Sequence, residues 1–265
     1  MTLSPGYLLV FHGSRDPKTS KMVLQLAQLL TKKLTAKNIL TQENYLVQDL
    51  SILGTNTSAI SNPSPKPIVE IAALELTSIA LHKNIIRFAQ KIDRNGGEHI
   101  QIIPLFLAAG VHVREDIPRE IALAETALKD RVTLKLSPYL GKYSGILGLL
   151  HSKFTQLAGD GRILLAHGSR MSEVKEHCQT LGAKLSAAIA YCSIAPSLAE
   201  QIKAQIAAGK KKIAILPYFL FPGRITKAIA QEVKQLQRTF PEVELILGQP
   251  LGATAELAAL IAEEM

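Results

Sequence analysis

The sequence contains few cysteines and few aromatic residues, and it has no tryptophan. Only two cysteines, Cys178 and Cys192, occur in 265 residues, and aromatic residues make up 5% of the chain. Two cysteines, both in the second half of the chain, are too few for a disulfide framework. Their spacing matches no zinc site. We therefore expect two reduced, buried thiols in a cytoplasmic protein.

Long apolar runs and recognisable targeting or nucleotide motifs are missing as well. No window reaches the roughly 18 apolar residues that a membrane span needs, and the N-terminal residues lack the basic start of a signal peptide. The patterns GxGxxG, GxxxxGK[ST] and GxSxG are absent, which argues against nucleotide binding and against a serine hydrolase. We expect neither a membrane nor a nucleotide as partner.

The charge is positive but scattered. Thirty Lys and Arg residues against 22 Asp and Glu residues give a net charge of +8. A basic chain suits nucleic acid or an anionic small molecule. Because no nucleic-acid motif occurs and aromatic residues are scarce, we predict no nucleic acid and favour the small anion.

The chain repeats itself. Three segments of the first half recur in the same order in the second, which indicates a duplication. The matching pairs are Tyr7–Pro17 with Arg162–Ser172, Ile100–Ile117 with Ile213–Ala230, and Leu136–Leu150 with Leu247–Ile261. The duplication predicts two domains, 1–158 and 159–265, with the boundary near AGDGR at Ala158–Arg162, and it makes a monomer plausible.

Short apolar runs alternate with amphipathic stretches in both halves, which predicts a parallel sheet covered by helices on both faces. The predicted strands are Leu8–Phe11, Ile100–Leu105, Val132–Leu136, Ile163–Ala166, Ile213–Leu216 and Val243–Leu247. The predicted helices are Lys18–Ala36, Ser78–Gln90, Pro118–Lys129, Tyr143–Phe154, Glu173–Ile189, Ser197–Ala207, Thr226–Arg238 and Ala253–Glu264. The polar segment Leu50–Lys66 breaks the pattern and is read as an inserted surface loop or a lid.

Two histidines follow predicted strands, at the sheet edge where such folds bind ligands. His12 ends the first strand, and Gly13 next to it allows a tight turn toward a helix that Ser14 or Asp16 can cap. His112 follows a later strand. Two neutral imidazoles with an open coordination sphere suit a transient site for Fe²⁺, Co²⁺ or Ni²⁺.

An acidic residue completes the candidate site. Glu75 ends the apolar run Val69–Glu75, so it is expected at the same rim, where it can accept a proton or assist the metal. Glu70 competes with it but begins the run, and we expect it at the opposite sheet edge, solvated. Four further histidines are predicted to carry no chemistry and to lack partners: His82, His99, His151 and His177.

The second half provides an internal control. Aligned on the repeat, His167 matches His12, whereas Ile225 matches His112 and Cys192 matches Glu75. If the trio only held the fold together, the second half would need it too. A site that requires all three residues can therefore exist only in the first half.

The segments HGSRDP at His12–Pro17, VEIAALE at Val69–Glu75 and PLFLAAGVHVREDIP at Pro104–Pro118 together resemble the class II chelatases. These are the ATP-independent sirohydrochlorin cobaltochelatases and ferrochelatases. The duplicated length is similar to their long form. The resemblance implies an α/β chelatase-like fold of two lobes, each with a mainly four-stranded parallel sheet flanked by helices. The first lobe would carry the active site, and the second would be a degenerate copy.

The resemblance also implies the chemistry. His12 and His112 would be the metal ligands and, with Glu75, the catalytic residues. No cofactor would be permanently bound, since the divalent metal, Fe²⁺ or Co²⁺, is a substrate together with the polycarboxylate sirohydrochlorin. Substrate contacts are expected from nearby loop residues: Gly13, Ser14, Arg15, Gly110 and Arg114. Further candidate partners for the carboxylates are Arg170, Arg224 and Lys227.

Two other functions remain open from the sequence. The same histidines would suit a metal or tetrapyrrole carrier without turnover, or a chelatase for a related modified tetrapyrrole that takes Ni²⁺. Two imidazoles select poorly among the divalent first-row metals, so the sequence leaves the choice between siroheme and cobalamin synthesis open.

Overall fold

The computed structural model describes residues 5–50, 66–129 and 131–265, with side chains described for 5–39, 66–129 and 131–265. In the predicted inserted loop from Leu50 to Lys66, residues 51–65 lie outside the described part of the chain. None of the described helices is long and apolar enough to cross a membrane.

The described chain forms two four-stranded sheets with all neighbouring strands parallel, in the orders β2-β1-β3-β4 and β6-β5-β7-β8. The first sheet contains Gly6–Phe11 (β1), Ile68–Ala73 (β2), His99–Pro104 (β3) and Thr133–Leu136 (β4). The second contains Gly161–Ala166 (β5), Ala188–Tyr191 (β6), Lys212–Pro217 (β7) and Glu244–Leu247 (β8). The two identical strand orders confirm the predicted fold class, a duplicated α/β architecture.

Eight α-helices cover these sheets within the described residues, in agreement with the predicted alternation. They are Pro17–Leu50 (α1), Leu81–Arg94 (α2), Ile117–Leu128 (α3), Ile146–Leu157 (α4), Ser172–Leu185 (α5), Leu198–Ala207 (α6), Arg224–Thr239 (α7) and Ala255–Glu263 (α8). The first helix runs well past its predicted end at Ala36, because no glycine or proline between residues 37 and 50 stops it.

The central strands are buried on both faces, which explains their nearly continuous apolar sequences. In β1, Leu8 and Val10 pack into a core with α2 and α3, whereas Leu9 and Phe11 point the other way into a second core. This alternation follows from the two-residue period of a strand. The strand β5 repeats the arrangement, with Ile163 among residues of α6 and α7.

The second core is shared by the two halves of the chain. It joins the inner faces of both sheets to helices α1, α4, α5 and α8. Helix α8 packs on α1, and α4 packs on β7 and α5, so the last helix of each half contacts the other half. Hydrogen bonds add to this interface: Tyr218 Oη donates to the Leu107 carbonyl over 3.1 Å, and Lys37 Nζ donates to the Ala262 carbonyl over 2.9 Å.

Two edge strands, β2 and β6, are missing from the predicted strands, and one cysteine also differs from expectation. The helix predicted over Glu173–Ile189 is wrong at its end, because Ser186 adopts a left-handed conformation (φ 50°) that terminates α5 and lets Ala188–Tyr191 form β6. The run AIAY is too short for its periodicity to separate strand from helix. The prediction of two buried thiols is half wrong, since Cys178 is buried but Cys192, just past β6, is exposed.

We expect a substitution in the shared core to destabilise both halves together. Leu257 on α8 is fully buried in that core, so Leu257→Ala should lower the free energy of unfolding by about 2–5 kcal/mol. The exposed Leu123 of α3 is the matched control, and Leu123→Ala should change it by less than about 0.5 kcal/mol. Urea denaturation followed by circular dichroism measures both, and two separate transitions in the wild type would contradict the shared core.

Candidate active site

Three loops meet where the parallel strands of the first sheet end. His12 directly follows β1, Glu75 lies two residues beyond β2, and His112 follows β3. Because β1 lies between β2 and β3, chain order reverses at this point, and a crevice opens beyond the carboxyl ends of the strands. The backbone N–H of Glu75 donates to the His12 carbonyl over 2.9 Å and ties the first two loops together.

The three side chains form a compact set of possible metal ligands. One atom from each of His12, Glu75 and His112 lies within 4.8 Å of the others. The two imidazole rings are 4.7 Å apart between centroids and nearly perpendicular, at 85°. The His112 Nδ1 atom lies 3.7 Å from a Glu75 carboxylate oxygen. Two imidazoles and a carboxylate suit a first-row divalent ion, and three protein ligands leave a position open to another molecule.

Gly13 permits the close approach of two of these loops. Its φ is +101°, and a Cβ atom there would lie 1.9 Å from the Glu75 carbonyl oxygen. The turn continues with a hydrogen bond from the Asp16 N–H to Ser14 Oγ and one from the Lys18 N–H to the Asp16 carboxylate. Of the two predicted capping residues, Asp16 therefore caps α1, and Ser14 shapes the loop before it.

Asp116 is a site residue that the sequence reasoning missed. Its carboxylate accepts a hydrogen bond from His112 Nδ1 over 2.8 Å and one from Arg119 over 2.9 Å. The hydrogen bond from His112 lowers the pKa of Asp116 below its ordinary value, and nearby Arg119 acts in the same direction. The four-residue spacing of His112 and Asp116 in HVRED was the available signal, since it places both side chains on one face of a helical turn.

A cavity of about 740 Å³ opens beside His12, between the two halves of the chain. The first half contributes the loop His12–Asp16 and Leu76, and the second contributes residues of the β7–α7 connection and of the start of α7. The second-half wall is largely apolar, with Phe219, Phe221 and Ile225, and Arg224 adds a positive charge opposite Arg15. Its size is typical of a site for a small molecule.

Leu76 lines this cavity in an unusual backbone conformation. Its φ is +56°, and its side chain is 54% exposed. A left-handed conformation costs a non-glycine residue about 1–2 kcal/mol. Strand pairing and the bond from the Ser193 N–H to the His167 carbonyl make Ile194 the second-half counterpart of Leu76, and Ile194 does not share the positive φ. An exposed, apolar side chain held in a strained conformation at a cavity wall indicates a requirement of the site.

The remaining predicted substrate contacts differ in their surroundings. Arg15 lines the cavity, whereas Arg114 forms an ion pair across the two halves with Glu173. Gly110 has open space where a Cβ atom would lie, so steric crowding does not require glycine there. The competing acid Glu70 lies near the start of β2, outside the cluster and partly exposed as expected, where it pairs with Lys91 at 2.6 Å.

Two of the other histidines have partners, contrary to expectation. His82 Nδ1 lies 2.8 Å from a Glu120 carboxylate oxygen, which also accepts the His82 backbone N–H. His177 Nε2 lies 3.3 Å from Tyr218 Oη at the contact of the two halves, and burial lowers the pKa of His177. Both contacts lie outside the three-ligand cluster.

The second half has lost most of the trio. The strand pairing and the bond from the Ser193 N–H to the His167 carbonyl repeat the Glu75–His12 bond, so Ser193 is the counterpart of Glu75. The sequence-based match of Glu75 to Cys192 is therefore wrong by one residue, because the short edge strand gave too little similarity to fix the register. Ile225 occupies the place of His112 after the aligned strands β3 and β7, as predicted.

A family model for CbiX matches the chain twice, over residues 53–157 and 161–265. The chain belongs to the CbiX family. Among curated proteins, a sirohydrochlorin ferrochelatase of Priestia megaterium is 26% identical over 212 residues, which cover 75% of this chain and 77% of that protein. A sirohydrochlorin cobaltochelatase of Methanocaldococcus jannaschii is 27% identical over 118 residues, which cover 44% of this chain and 59% of the archaeal protein.

Solved structures share the two-lobed fold of this CbiX-family chain. A structure of SirB from Bacillus subtilis with Fe³⁺ superimposes with a TM-score of 0.71, at 20% identity, over 99% of this chain and 94% of that one. A CbiX structure described as the terminal enzyme of siroheme biosynthesis in denitrifying bacteria gives 0.60 at 20% identity, over 98% and 97%. At this level of identity, the likeness supports the fold.

We expect a side chain at Gly13 to disrupt the site more than one at its second-half counterpart. In Gly13→Ala, the new methyl group meets the fixed backbone of Glu75, so the loops must separate. In Gly168→Ala, where φ is also positive (+95°), it meets mainly the side chains of Ser193 and Ile194, which can shift. Co²⁺ titration followed by visible absorbance should show at least a tenfold loss of affinity in Gly13→Ala only, and equal losses would contradict the assignment.

Proposed function

We propose that this chain is a sirohydrochlorin chelatase that inserts Fe²⁺ or Co²⁺ into the macrocycle without ATP. The single observation that carries the proposal is the cluster of two imidazoles and one carboxylate within 4.8 Å, beside a cavity of about 740 Å³. Membership of the CbiX family supports it, as do the relatives named sirohydrochlorin ferrochelatase and cobaltochelatase.

The incomplete ligand set favours transfer of a metal over its storage. His12, Glu75 and His112 offer three donors, whereas a structural site normally surrounds a zinc-like ion with four. Two of the three side chains are exposed, so the ion can be reached from the cavity. The pyrrole nitrogens of the substrate can then occupy the open position and replace the protein ligands one after another.

The cavity provides surfaces for both parts of a polycarboxylate macrocycle. Phe219, Phe221 and Leu76 present apolar faces against which a planar ring can pack. Arg15 lies on the first-lobe wall and Arg224 on the second-lobe wall. Both would bind the peripheral carboxylates, for which a guanidinium is the best-matched partner. The net charge of +8 favours the approach of such an anion.

Metal insertion exchanges two pyrrole N–H protons for one divalent ion. The protein must hold the ion loosely and accept these protons as the metal–nitrogen bonds form. Glu75 is the proposed first acceptor, since it is 46% exposed and lies beside His112, whose Nδ1 is 3.7 Å away. An imidazole released by the metal is able to accept the second proton.

Within this proposal the lobes 1–158 and 159–265 have different roles. The first supplies the metal-binding residues, and the second supplies a cavity wall through the β7–α7 connection. Arg114, a proposed substrate contact, is paired with Glu173 of the second lobe. Binding of a substrate carboxylate by Arg114 would therefore exchange one anionic partner for another.

We expect His112→Ala to lower the rate of metal insertion on the order of 100-fold or more, because a metal ligand is lost. His12→Ala should behave alike. The matched control is His167→Ala, which removes the second-lobe counterpart and should retain the wild-type rate. The measurement is the absorbance change of sirohydrochlorin with Fe²⁺ and with Co²⁺, at catalytic protein concentrations. Product limited to one equivalent per chain would reject the enzyme and support a carrier.

Leu76→Gly should separate stability from substrate binding. Glycine removes the strain of the positive φ, which offsets the entropy it adds to the unfolded chain, so the unfolding free energy should stay within about 1 kcal/mol. The loss of an apolar cavity wall should raise KM for sirohydrochlorin several-fold while Co²⁺ affinity remains. The exposed Ile79, three positions after Leu76, serves as control in Ile79→Gly. An unchanged KM would remove Leu76 from the binding surface.

A further inference from the structure

We propose that Asp116 is a positioning residue that fixes the ring orientation and the tautomer of His112 so that Nε2 faces the metal with its lone pair free. The role goes beyond the ligand trio, and it rests on the proposed function because it assigns His112 to the metal.

The contacts of the carboxylate leave it little freedom. One oxygen lies 2.8 Å from His112 Nδ1, and the other accepts a hydrogen bond from Arg119 Nη2 over 2.9 Å. The Asp116 side chain is 20% exposed, less than that of His112 at 30%. Glu75 also faces Nδ1 but at 3.7 Å, beyond a hydrogen bond. Asp116 is therefore the hydrogen-bond partner of this nitrogen.

The hydrogen bond decides which nitrogen is available to a metal ion. An ionised carboxylate only accepts, so the neutral imidazole must carry its single N–H on Nδ1. The lone pair is then on Nε2, which is the form that binds a metal. Carboxylate partners of this kind orient metal-binding histidines and raise their basicity.

A π-helical turn brings the two side chains together. The turn spans His112–Asp116, and the Ile117 N–H donates to the His112 carbonyl, five residues back. Pro118 explains this geometry. It has no N–H to donate, and in a regular α-helix its ring would crowd the Arg114 carbonyl. The helical turn before α3 therefore contains one extra residue.

The second lobe shows that the helix can begin without this turn. Through Gly110 and Gly223 the two lobes align with an offset of 113, but beyond the turn the buried Ile117 and Ile121 correspond to Ile229 and Val233, an offset of 112. The first lobe thus contains one additional residue, and the sequence-based match of Ile117 to Ala230 is wrong by one position. In the second lobe α7 starts regularly at Arg224.

The same comparison links the turn to the histidine. The second-lobe position of Pro118 is Ala230, and that of His112 is Ile225. The first lobe, which has the ligand trio, also has His112, Asp116, Pro118 and the widened turn. The second lobe has none of these at the corresponding positions. Because the second lobe folds without these residues, the turn is not required by the fold, and we assign it to the positioning of His112.

The test uses the full chain, Co²⁺ alone as probe, and the variants Asp116→Ala and Asp116→Asn. We expect the Kd for Co²⁺, from calorimetry without sirohydrochlorin, to rise about 10- to 100-fold in Asp116→Ala. Asp116→Asn keeps an acceptor of the same shape and should give an intermediate value. Nitrogen-15 spectra of labelled histidine rings in the metal-free protein should show Nδ1–H for His112 in the wild type and a tautomer mixture in Asp116→Ala.

The control is Glu120→Ala, which removes a histidine–carboxylate contact of the same 2.8 Å length one turn further along the helix. It should leave Co²⁺ affinity and the His112 tautomer unchanged. Equal loss of affinity in Asp116→Ala and Glu120→Ala, or a His112 tautomer that does not respond to Asp116→Ala, would overturn the positioning role. The spectra need neither metal nor tetrapyrrole. Failure of the chain to metallate sirohydrochlorin would therefore reject the proposed function, whereas the spectra test the tautomer of His112 independently.

Discussion

The parallel pairing of β1 with both β2 and β3 is the constraint on which the site depends. All three strands point the same way, so their carboxyl ends share one edge, and the reversal of strand order leaves room beyond it. His12, Glu75 and His112 come from distant parts of the chain, and this edge is what brings them within 4.8 Å. The backbone bond between the first two loops, made possible by Gly13, fixes their distance.

Duplication allowed the two lobes to diverge without loss of the fold. Both retain the strand order and the buried central strands, and they share one core through α1, α4, α5 and α8. Residues that matter only to chemistry could then change in the second lobe. Ser193 and Ile225 replace the acid and the second histidine, and the π-helical turn is replaced by a regular helix start. At the cavity the second lobe retains an apolar wall, which is suited to packing against a bound substrate.

Three departures from regular structure lie at the first-lobe rim. Gly13 and Leu76 have positive φ, and His112–Asp116 forms the widened turn. The backbone conformation of Leu76 and the widened turn cost conformational free energy that a regular connection would avoid, whereas glycine adopts its positive φ without strain. They persist because the surrounding core determines the strand ends so firmly. The electrostatic contacts follow the same pattern, with Asp116 held between His112 and Arg119 while the cavity side of the cluster stays open.

The sequence by itself determined the repeat, the α/β class, the central strands and the two histidines at strand ends, because periodicity and adjacency to a strand are local properties. It left the edge strand β6 and the register of Ser193 undecided, since four apolar residues carry no distinct period. Only the tertiary structure decided the distance between His12 and His112, the contacts of α4 and α8 with the opposite lobe, and the cavity. These depend on how separate segments pack, and no local pattern encodes the space between two loops that are far apart in the chain.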